Sequence, residues 1–202
     1  MIHEATETEV LIKETAKKIF FTKGHINAST KEIALEAGVN RALIHYYFRS
    51  RDLLFNTVLV EAMQGFMGRI SSILGSEMSL REKISTFLDA FIEEKIDYPY
   101  IETFLISEMM KDPGKVLKHH PNNGTGIRTL LESQIQEEIA AGRVQPMSTE
   151  HFIVNLMSLC NYPLIAKPML QTVFGYDEAT YRNFLLDRKE IVYRLIFNEP
   201  LK

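Results

Sequence analysis

One stretch constrains the chain more than any other: residues 30–48, with the sequence TKEIALEAGVNRALIHYYF. The apolar residues of its first part share one helical face: Ile33, Ala34 and Ala37. Thr30 is a candidate N-cap of this helix, and Gly38 follows it as a residue that tolerates positive φ. Asn40 can cap a second short helix. Two short helices joined by a tight glycine turn predict a helix-turn-helix.

The segment GVNRALIHYYFRSRDLL resembles the signature of TetR-type transcriptional regulators. In that signature a glycine, a small apolar residue and a polar cap lead into a Tyr-rich recognition helix that ends in Phe. A basic residue and a leucine then open the next helix. The resemblance covers residues 10–55. It implies an all-α chain with an N-terminal three-helix DNA-binding domain, residues 1–51, and a helical effector-binding and dimerisation domain, residues 52–202.

In a helix-turn-helix the second helix enters the major groove of double-stranded DNA. The residues expected at the DNA are Thr30, Lys31, Asn40, Arg41, Ala42, Leu43, His45, Tyr46, Tyr47 and Arg51. Arg41 lies near the start of that helix, where an arginine can pair with guanine O6 and N7. Ala42 permits close approach of the backbone.

Other side chains of the recognition helix have less specific roles. Leu43 either contacts a thymine methyl, which we favour, or is an exposed leucine. His45 stands where the family commonly has tyrosine and can donate to a phosphate or a base. By resemblance, Tyr47 and Arg51 contact phosphate, while Tyr46 serves partly in packing. Thr30 and Lys31 match positions that touch the DNA backbone.

The charge distribution is consistent with a local DNA-binding patch. The chain has a formal net charge of −3, which argues against general polyanion binding. Residues 1–51 contain eight Lys and Arg and six Asp and Glu, so their formal charge is +2. The lysines off the apolar stripe of the first helix are Lys13, Lys17, Lys18 and Lys23. They form either a solvated face or, near the helix ends, one or two phosphate contacts.

Length and composition describe an ordinary globular chain with a sizeable core. Hydrophobic residues make up 46% of its 202 residues, and long segments with helical periodicity outnumber alternating ones. The single cysteine excludes an intrachain disulfide and fits a reducing compartment. No signal peptide and no stretch of about 18 apolar residues is present. We therefore expect a cytoplasmic protein without a membrane span.

The C-terminal part has several further amphipathic helices and ends in two long ones. The resemblance implies that these last two long helices pack against their copies in a second chain. A two-fold homodimer would read two half-sites of a near-palindromic operator, about 34–36 Å apart or a multiple of that spacing.

The C-terminal part is also rich in Phe and Met, most of which are expected to form plain core. A subset can line an apolar pocket, because flexible Met and rigid Phe suit adaptable cavities. The family's body binds small molecules, so an unidentified, partly apolar effector is expected. The candidate ligand-binding residues are Phe66, Phe91, Phe104 and Met109, with Asn155 and Tyr162 as polar contacts.

Signals for other chemistry are weak. The histidines His119, His120 and His151 and the cysteine Cys160 match no metal-ligand spacing, and a surface loop explains the His pair better. Glu93 and Glu94 are predicted to lie on a solvated face. No catalytic triad, phosphate-binding glycine loop or Cys-x-x-Cys motif is present, so neither an enzyme nor a cofactor is expected.

Three hypotheses remain at the level of sequence. The first, which we favour, is a homodimeric repressor that a small molecule releases from its operator. The second is a DNA-binding regulator without a small-molecule effector, which a filled core would favour. The third is an enzyme or helical scaffold that kept the motif as packing.

Overall fold

A computed structural model describes residues 6–112 and 125–198, and within these ranges the fold is entirely α-helical. The ten helices are α1 (Glu7–Lys17), α2 (Thr30–Ala37), α3 (Arg41–Phe48), α4 (Arg51–Leu74), α5 (Leu80–Asp97), α6 (Ile101–Lys111), α7 (Thr125–Ala140), α8 (Thr149–Ile165), α9 (Lys167–Phe174) and α10 (Glu178–Phe197). The predicted fold class is confirmed.

The first helix continues beyond α1 as one π-helical turn, Lys18–Thr22. This wider turn buries Ile19 and the consecutive aromatics Phe20 and Phe21 together. A π turn inserts an extra residue and shifts the helical face, which helps neighbouring side chains to reach one core. The first helix therefore reaches Thr22 but changes its winding over its last five residues.

The cap of α2 differs from the prediction. Ser29, rather than Thr30, is the N-cap: its hydroxyl accepts a hydrogen bond from the Glu32 backbone N–H. The Glu32 carboxylate accepts in turn from the backbone N–H of Ser29 at 2.7 Å, which completes a capping box. This assignment leaves the Thr30 hydroxyl free to contact the recognition helix.

Two clusters of buried side chains form the core. The first joins α1, α2, α3, the N-terminal half of α4 and two residues of α6, Ile101 and Phe104. The second joins the C-terminal half of α4 to α5, α7, α8 and α10. Because α4 contributes to both clusters, the domain boundary after residue 51 stays a prediction.

The turn between α5 and α6 docks onto the end of the first helix. The Tyr100 backbone N–H donates to the carbonyl of Phe21 at 3.1 Å, and the Thr22 hydroxyl donates to the carbonyl of Asp97 at 2.7 Å. The ring of Phe21 also packs against Tyr98 and Phe104. These contacts fix the start of α6 to the helix-turn-helix domain.

Among the described residues, no helix is long and apolar enough to cross a membrane. The most apolar one, α8, contains Pro163, and its end is followed directly by α9.

Candidate nucleic-acid interface and ligand cavity

The turn between α2 and α3 has the geometry that the sequence predicts. Gly38 adopts φ +66° and ψ +27°, the left-handed conformation that glycine tolerates without a Cβ clash. The side chain of Asn40 accepts from the Ala42 backbone N–H at 2.8 Å and so caps α3. Ile44 and Phe48 are buried in the first core cluster. These contacts anchor one face of α3 and leave the other outside.

The outward face of α3 is formed by Arg41, Ala42, His45, Tyr46 and Arg49, which are all exposed. They recur at i, i+1, i+4, i+5 and i+8, so they share one side of the helix. Four of them are predicted DNA-binding residues. Arg49 is an addition, since the sequence analysis did not single it out.

Arg49 lies in an uncommon backbone conformation, with φ +65° and ψ −44°. Positive φ is rare for residues other than glycine and occurs at functional sites more often than elsewhere. Its N–H donates to the carbonyl of His45 and closes α3. The basic side chain is thereby held at the C-terminal end of the exposed face. A sequence signal existed, because residue 49 continues the spacing of Arg41 and His45.

Arg41 is oriented by the preceding helix. Its Nε donates to the Thr30 hydroxyl at 2.9 Å. This bond does not use the two terminal nitrogens of the guanidinium, which are the groups that pair with guanine in a bidentate contact. Thr30 is therefore placed beside the recognition helix, and Lys31 is exposed next to it at the start of α2.

The burial of Tyr46 and Tyr47 is the reverse of the prediction, which gave the packing role to Tyr46. Tyr46, predicted to pack, is 68% exposed. Tyr47 is half-buried against the first core cluster, and its hydroxyl accepts from the Thr6 hydroxyl at 2.9 Å. Thr6 is also the N-cap of α1. Tyr47 therefore holds the N-terminus of α1 beside α3, while Tyr46 presents most of its ring to the outside.

Two further side chains that were expected at the DNA, those of Leu43 and Arg51, are partly buried by packing. Leu43 is half-buried against the first core cluster, so it is not the exposed leucine that one alternative supposed. The Arg51 guanidinium carbon lies 5.1 Å and 5.3 Å from the ring centres of Phe20 and Phe55. Its Nη2 is buried, and its Nε donates to the carbonyl of Ala28. Arg51 is thus engaged in packing, and its phosphate contact stays a prediction.

Three of the four lysines of the first helix are paired with carboxylates. Lys13 contacts Glu61 at 2.8 Å, Lys17 contacts Glu14 at 2.7 Å, and Lys23 contacts Glu36 at 2.7 Å. The side chains of Lys13 and Lys17 are only 15% and 18% exposed, so these ion pairs favour structural roles over phosphate contacts for the three lysines.

A cavity of about 350 Å³ lies between α4, α5, α6, α7 and α8. Three of the residues predicted to bind ligand, Phe66, Phe91 and Met109, line it. Phe104 does not: its ring packs between Phe21 and Phe55 in the first core cluster. Phe104 lies on the apolar face of α6 one turn after Ile101, and sequence periodicity alone does not say which of the two core clusters it joins.

The two predicted polar contacts also lie elsewhere. Asn155 is exposed on α8, and its Nδ2 approaches the Met147 sulfur at 3.7 Å. Tyr162 is exposed on the same helix. The polar residues that do line the cavity are Glu94, Lys95, Glu102 and Asn161.

Glu94 corrects the prediction of a solvated face. Glu93 is exposed as predicted, whereas Glu94 points into the cavity and burial raises the pKa of its carboxyl. Lys95, its neighbour, is almost completely buried. The sequence carried a signal for Lys95, because it continues the apolar stripe of Ile84, Leu88 and Phe91 by one more turn.

The candidate metal residues do not come together in the described part of the chain. His151 is exposed, whereas Cys160 is buried, and that burial raises the pKa of the thiol to about 12. No group of three or more potential ligands occurs among the residues described. His119 and His120 lie outside the described residues.

The fold and the exposed face of α3 define a helix-turn-helix DNA-binding protein. Residues 12–58 match the model of the bacterial regulatory proteins of the tetR family. YttP, a probable HTH-type transcriptional regulator of Bacillus subtilis (strain 168), is 22% identical over 95% of this chain and 89% of its own.

Solved structures share the fold over the whole chain. SCO4454, a TetR-family transcriptional regulator from Streptomyces coelicolor, superposes with a TM-score of 0.64 at 19% identity, covering 96% of this chain and 91% of its own. The fatty acid degradation regulator FadR from Bacillus halodurans superposes with a TM-score of 0.62 at 15% identity, covering 94% and 96%. The comparisons therefore support a DNA-binding transcriptional regulator whose residues 12–58 match the tetR family model and whose overall fold is shared with solved regulators of that type.

Proposed function

We propose that the protein is a homodimeric repressor that binds a two-fold symmetric operator through α3 and is released by a small molecule bound in the cavity. One observation carries the link between the two sites. Met63 and Ile101 belong to the core of the DNA-binding part and also line the cavity. A ligand that moves either side chain therefore acts directly on the packing beneath the recognition helix.

The second connection is the start of α6. Ile101, Glu102, Leu105 and Ile106 line the cavity from this helix. Its first turn follows Tyr100, whose backbone N–H is bonded to Phe21 at the end of the first helix. A shift of α6 on ligand binding would be transmitted to α1. Since α1 also contacts Tyr47 through Thr6, the displacement can reach the DNA-facing side.

Release by ligand requires that the ligand bind the conformation that does not fit DNA more tightly than the one that does. A coupling free energy of about 1–3 kcal/mol would lower operator affinity 5–150-fold. The cavity is of the size that small-molecule sites have, about 300–1,000 Å³.

The exposed apolar residues of the C-terminal helices support a dimer. Large apolar side chains are exposed along α8, α9 and α10: Val154, Tyr162, Ile165, Met169, Val173, Phe174, Leu186, Ile191 and Leu195. A face with this many exposed apolar side chains is typical of an interaction surface rather than of a monomer. The proposed dimer pairs α8 and α10 with their copies and sets two α3 helices at one two-fold site.

The second candidate is a regulator without a small-molecule effector, controlled by a protein partner. A core without a cavity would favour it. The volume of about 350 Å³ between α4 and α8 favours the ligand-released repressor instead.

The test begins with selection of bound sequences from a random DNA pool at moderate salt. A two-fold symmetric motif is expected, and its half-site spacing should match a dimer of α3 helices. A motif with a single asymmetric half-site, together with a monomer in sedimentation, would contradict the dimeric reader.

The effector is tested with a variant that fills the cavity. Met157→Trp places a larger side chain in the cavity from α8. The variant should bind operator DNA but no longer respond to compounds that release the unmodified protein. Leu130→Trp, at an exposed position of α7 that does not line the cavity, serves as the control for the added ring. Retained release in Met157→Trp would place the effector elsewhere.

A further inference from the structure

The polar end of the cavity has an excess of acidic groups. Glu94, Lys95 and Glu102 line it together, so the cluster has a formal charge of −1 when all three are ionised. The Lys95 side chain is 2% exposed, and those of Glu94 and Glu102 are 15% and 11% exposed. Charges this well shielded are screened little by salt, so their balance determines which ligand charge the site accepts.

Lys95 is already committed to protein partners. Its Nζ lies 2.7 Å from Oε1 of Glu102, and 4.6 Å and 5.4 Å from the ring centres of Phe66 and Phe91. An anionic ligand would have to compete for this ammonium group. The competition would leave the Glu102 carboxylate buried without its partner, which is strongly unfavourable.

Glu94 lacks an equivalent partner. Its Oε1 is 3.5 Å from the Lys95 Nζ, at the limit of a hydrogen bond, because Lys95 lies closer to Glu102. Arg69 also acts on Glu94 through space, but this arginine is exposed and its effect is screened. The raised pKa of Glu94 is consistent with a buried carboxylate that is incompletely compensated.

Asn161 supplies a second acceptor at the cavity. Its Oδ1 is buried and has no hydrogen-bond donor in the described part of the chain. A buried acceptor without a donor is uncommon in a folded protein and indicates a missing partner. Glu94 and Asn161 thus both call for a group that donates hydrogen bonds.

The rest of the cavity is apolar and partly aromatic. Phe66, Phe87 and Phe91 all line it, and the ring centres of Phe66 and Phe91 are 6.0 Å apart. Aromatic faces attract a cation and tolerate an alkyl chain equally well. Neutral hydrogen-bond donors and cations therefore both fit the walls, and the incompletely compensated carboxylate of Glu94 favours the cation.

We propose that the cavity binds an apolar amine, with its protonated amino group between Glu94 and Asn161 and its hydrocarbon body along the walls of α4, α6 and α8. This proposal rests on the proposed function only in taking this cavity as the effector site. It names the chemistry of the ligand, a cationic amphiphile, rather than an acid or a neutral lipid.

The test compares three ligands of equal chain length with the full-length protein: decylamine, decanol and decanoate, each below its micelle concentration. Calorimetry at neutral pH should show that decylamine binds about tenfold more tightly than either of the others. Glu94→Gln should lower the affinity for decylamine about tenfold and change that for decanol less than twofold. Glu93→Gln, at the adjacent exposed position, is the matched control and should change neither affinity.

Several outcomes would overturn the ligand class. These are tightest binding of decanoate, equal effects of Glu94→Gln and Glu93→Gln, or no binding of any of the three compounds. Operator affinity measured in parallel separates this proposal from the proposed function. If decanol or decanoate releases the operator as well as decylamine does, the cavity remains the effector site, but an amine is excluded as its preferred ligand. If decylamine binds in a Glu94-dependent way but does not change operator affinity, the ligand class is supported and the effector function of the cavity is contradicted.

Discussion

The ring of Tyr100 packs directly against Gly24. A Cβ added to Gly24 would lie 3.0 Å from two atoms of that ring. On its other side the same ring is 4.9 Å from the Lys167 Nζ at the start of α9. Tyr100 therefore connects the end of the first helix in the DNA-binding part to the C-terminal helices, and glycine is the residue that permits the contact.

Gly24→Ala should lower the free energy of unfolding by more than its backbone conformation alone explains. Gly24 has φ +71°, which costs a residue with a Cβ about 1–2 kcal/mol, and the contact with Tyr100 adds to that. Gly142→Ala is the control, because Gly142 has φ +70° and no neighbouring atom within 4 Å of the added Cβ. Urea unfolding measures both, and equal losses would show that the ring moves away without cost.

Arg51→Ala should destabilise the fold by about 1–2 kcal/mol, since it removes the guanidinium from the rings of Phe20 and Phe55. Arg41→Ala should leave stability within about 0.5 kcal/mol, because Arg41 is exposed. For DNA binding we expect the opposite order, with the larger loss in Arg41→Ala. Arg41→Ala should weaken binding by about 1–3 kcal/mol at sites with its preferred base and less at sites with a substituted base. Equal loss at matched and substituted sites would contradict base reading by Arg41.

Arg49→Gly should reduce DNA affinity without loss of stability. Glycine relieves the positive φ of residue 49 but costs backbone entropy, so the net change in unfolding free energy should stay within about 1 kcal/mol. If the side chain neutralises a phosphate, the slope of log affinity against log salt should become shallower by about 1. An unchanged slope would exclude the phosphate contact.

Val154→Glu should weaken the proposed dimer. The side chain is exposed in the single chain and lies on α8, so a carboxylate there would be buried without a partner in the interface. Sedimentation at micromolar concentration should show a shift toward monomer. Leu35→Glu is the control, because Leu35 is 80% exposed on α2, in the DNA-binding part of the chain. A dimer that tolerates Val154→Glu would require a different interface.

Binding of decylamine should strengthen as pH rises through the pKa of Glu94. That pKa is raised by burial, so at low pH the carboxyl is neutral in the free protein and attracts a cation less. The charged groups that act on it are Lys95, Arg69 and Glu102. Titrations across pH 4 to 8 with Glu94→Gln should lose this dependence. A dependence retained in Glu94→Gln would assign the titration to another group.

The sequence alone identified the features that depend on neighbours in the chain. Asn40 and Gly38 were both placed correctly at helix ends, because caps depend on residues only a few positions away in the chain. The helix-turn-helix followed from the same local rules. The one wrong cap, Thr30 for Ser29, is an error of a single residue.

Features that depend on distant contacts were predicted less well. Of the aromatic residues predicted to bind ligand, Phe66 and Phe91 line the cavity, whereas Phe104 packs against Phe21. Arg51 matches a phosphate-binding position by resemblance, but its guanidinium group lies against the rings of Phe20 and Phe55. The periodicity of a helix tells which side chains are apolar, but not which of two cores each one enters.

The sequence by itself determined an all-α fold with a helix-turn-helix, because helix periodicity, capping and the glycine turn are local in origin. Only the tertiary structure decided which polar groups are buried in the cavity. Glu93 and Glu94 are adjacent and chemically identical, and one is exposed while the other faces the ligand site. Their difference arises from how α5 is rotated against α4, α7 and α10, and that rotation is fixed by packing between residues far apart in the chain.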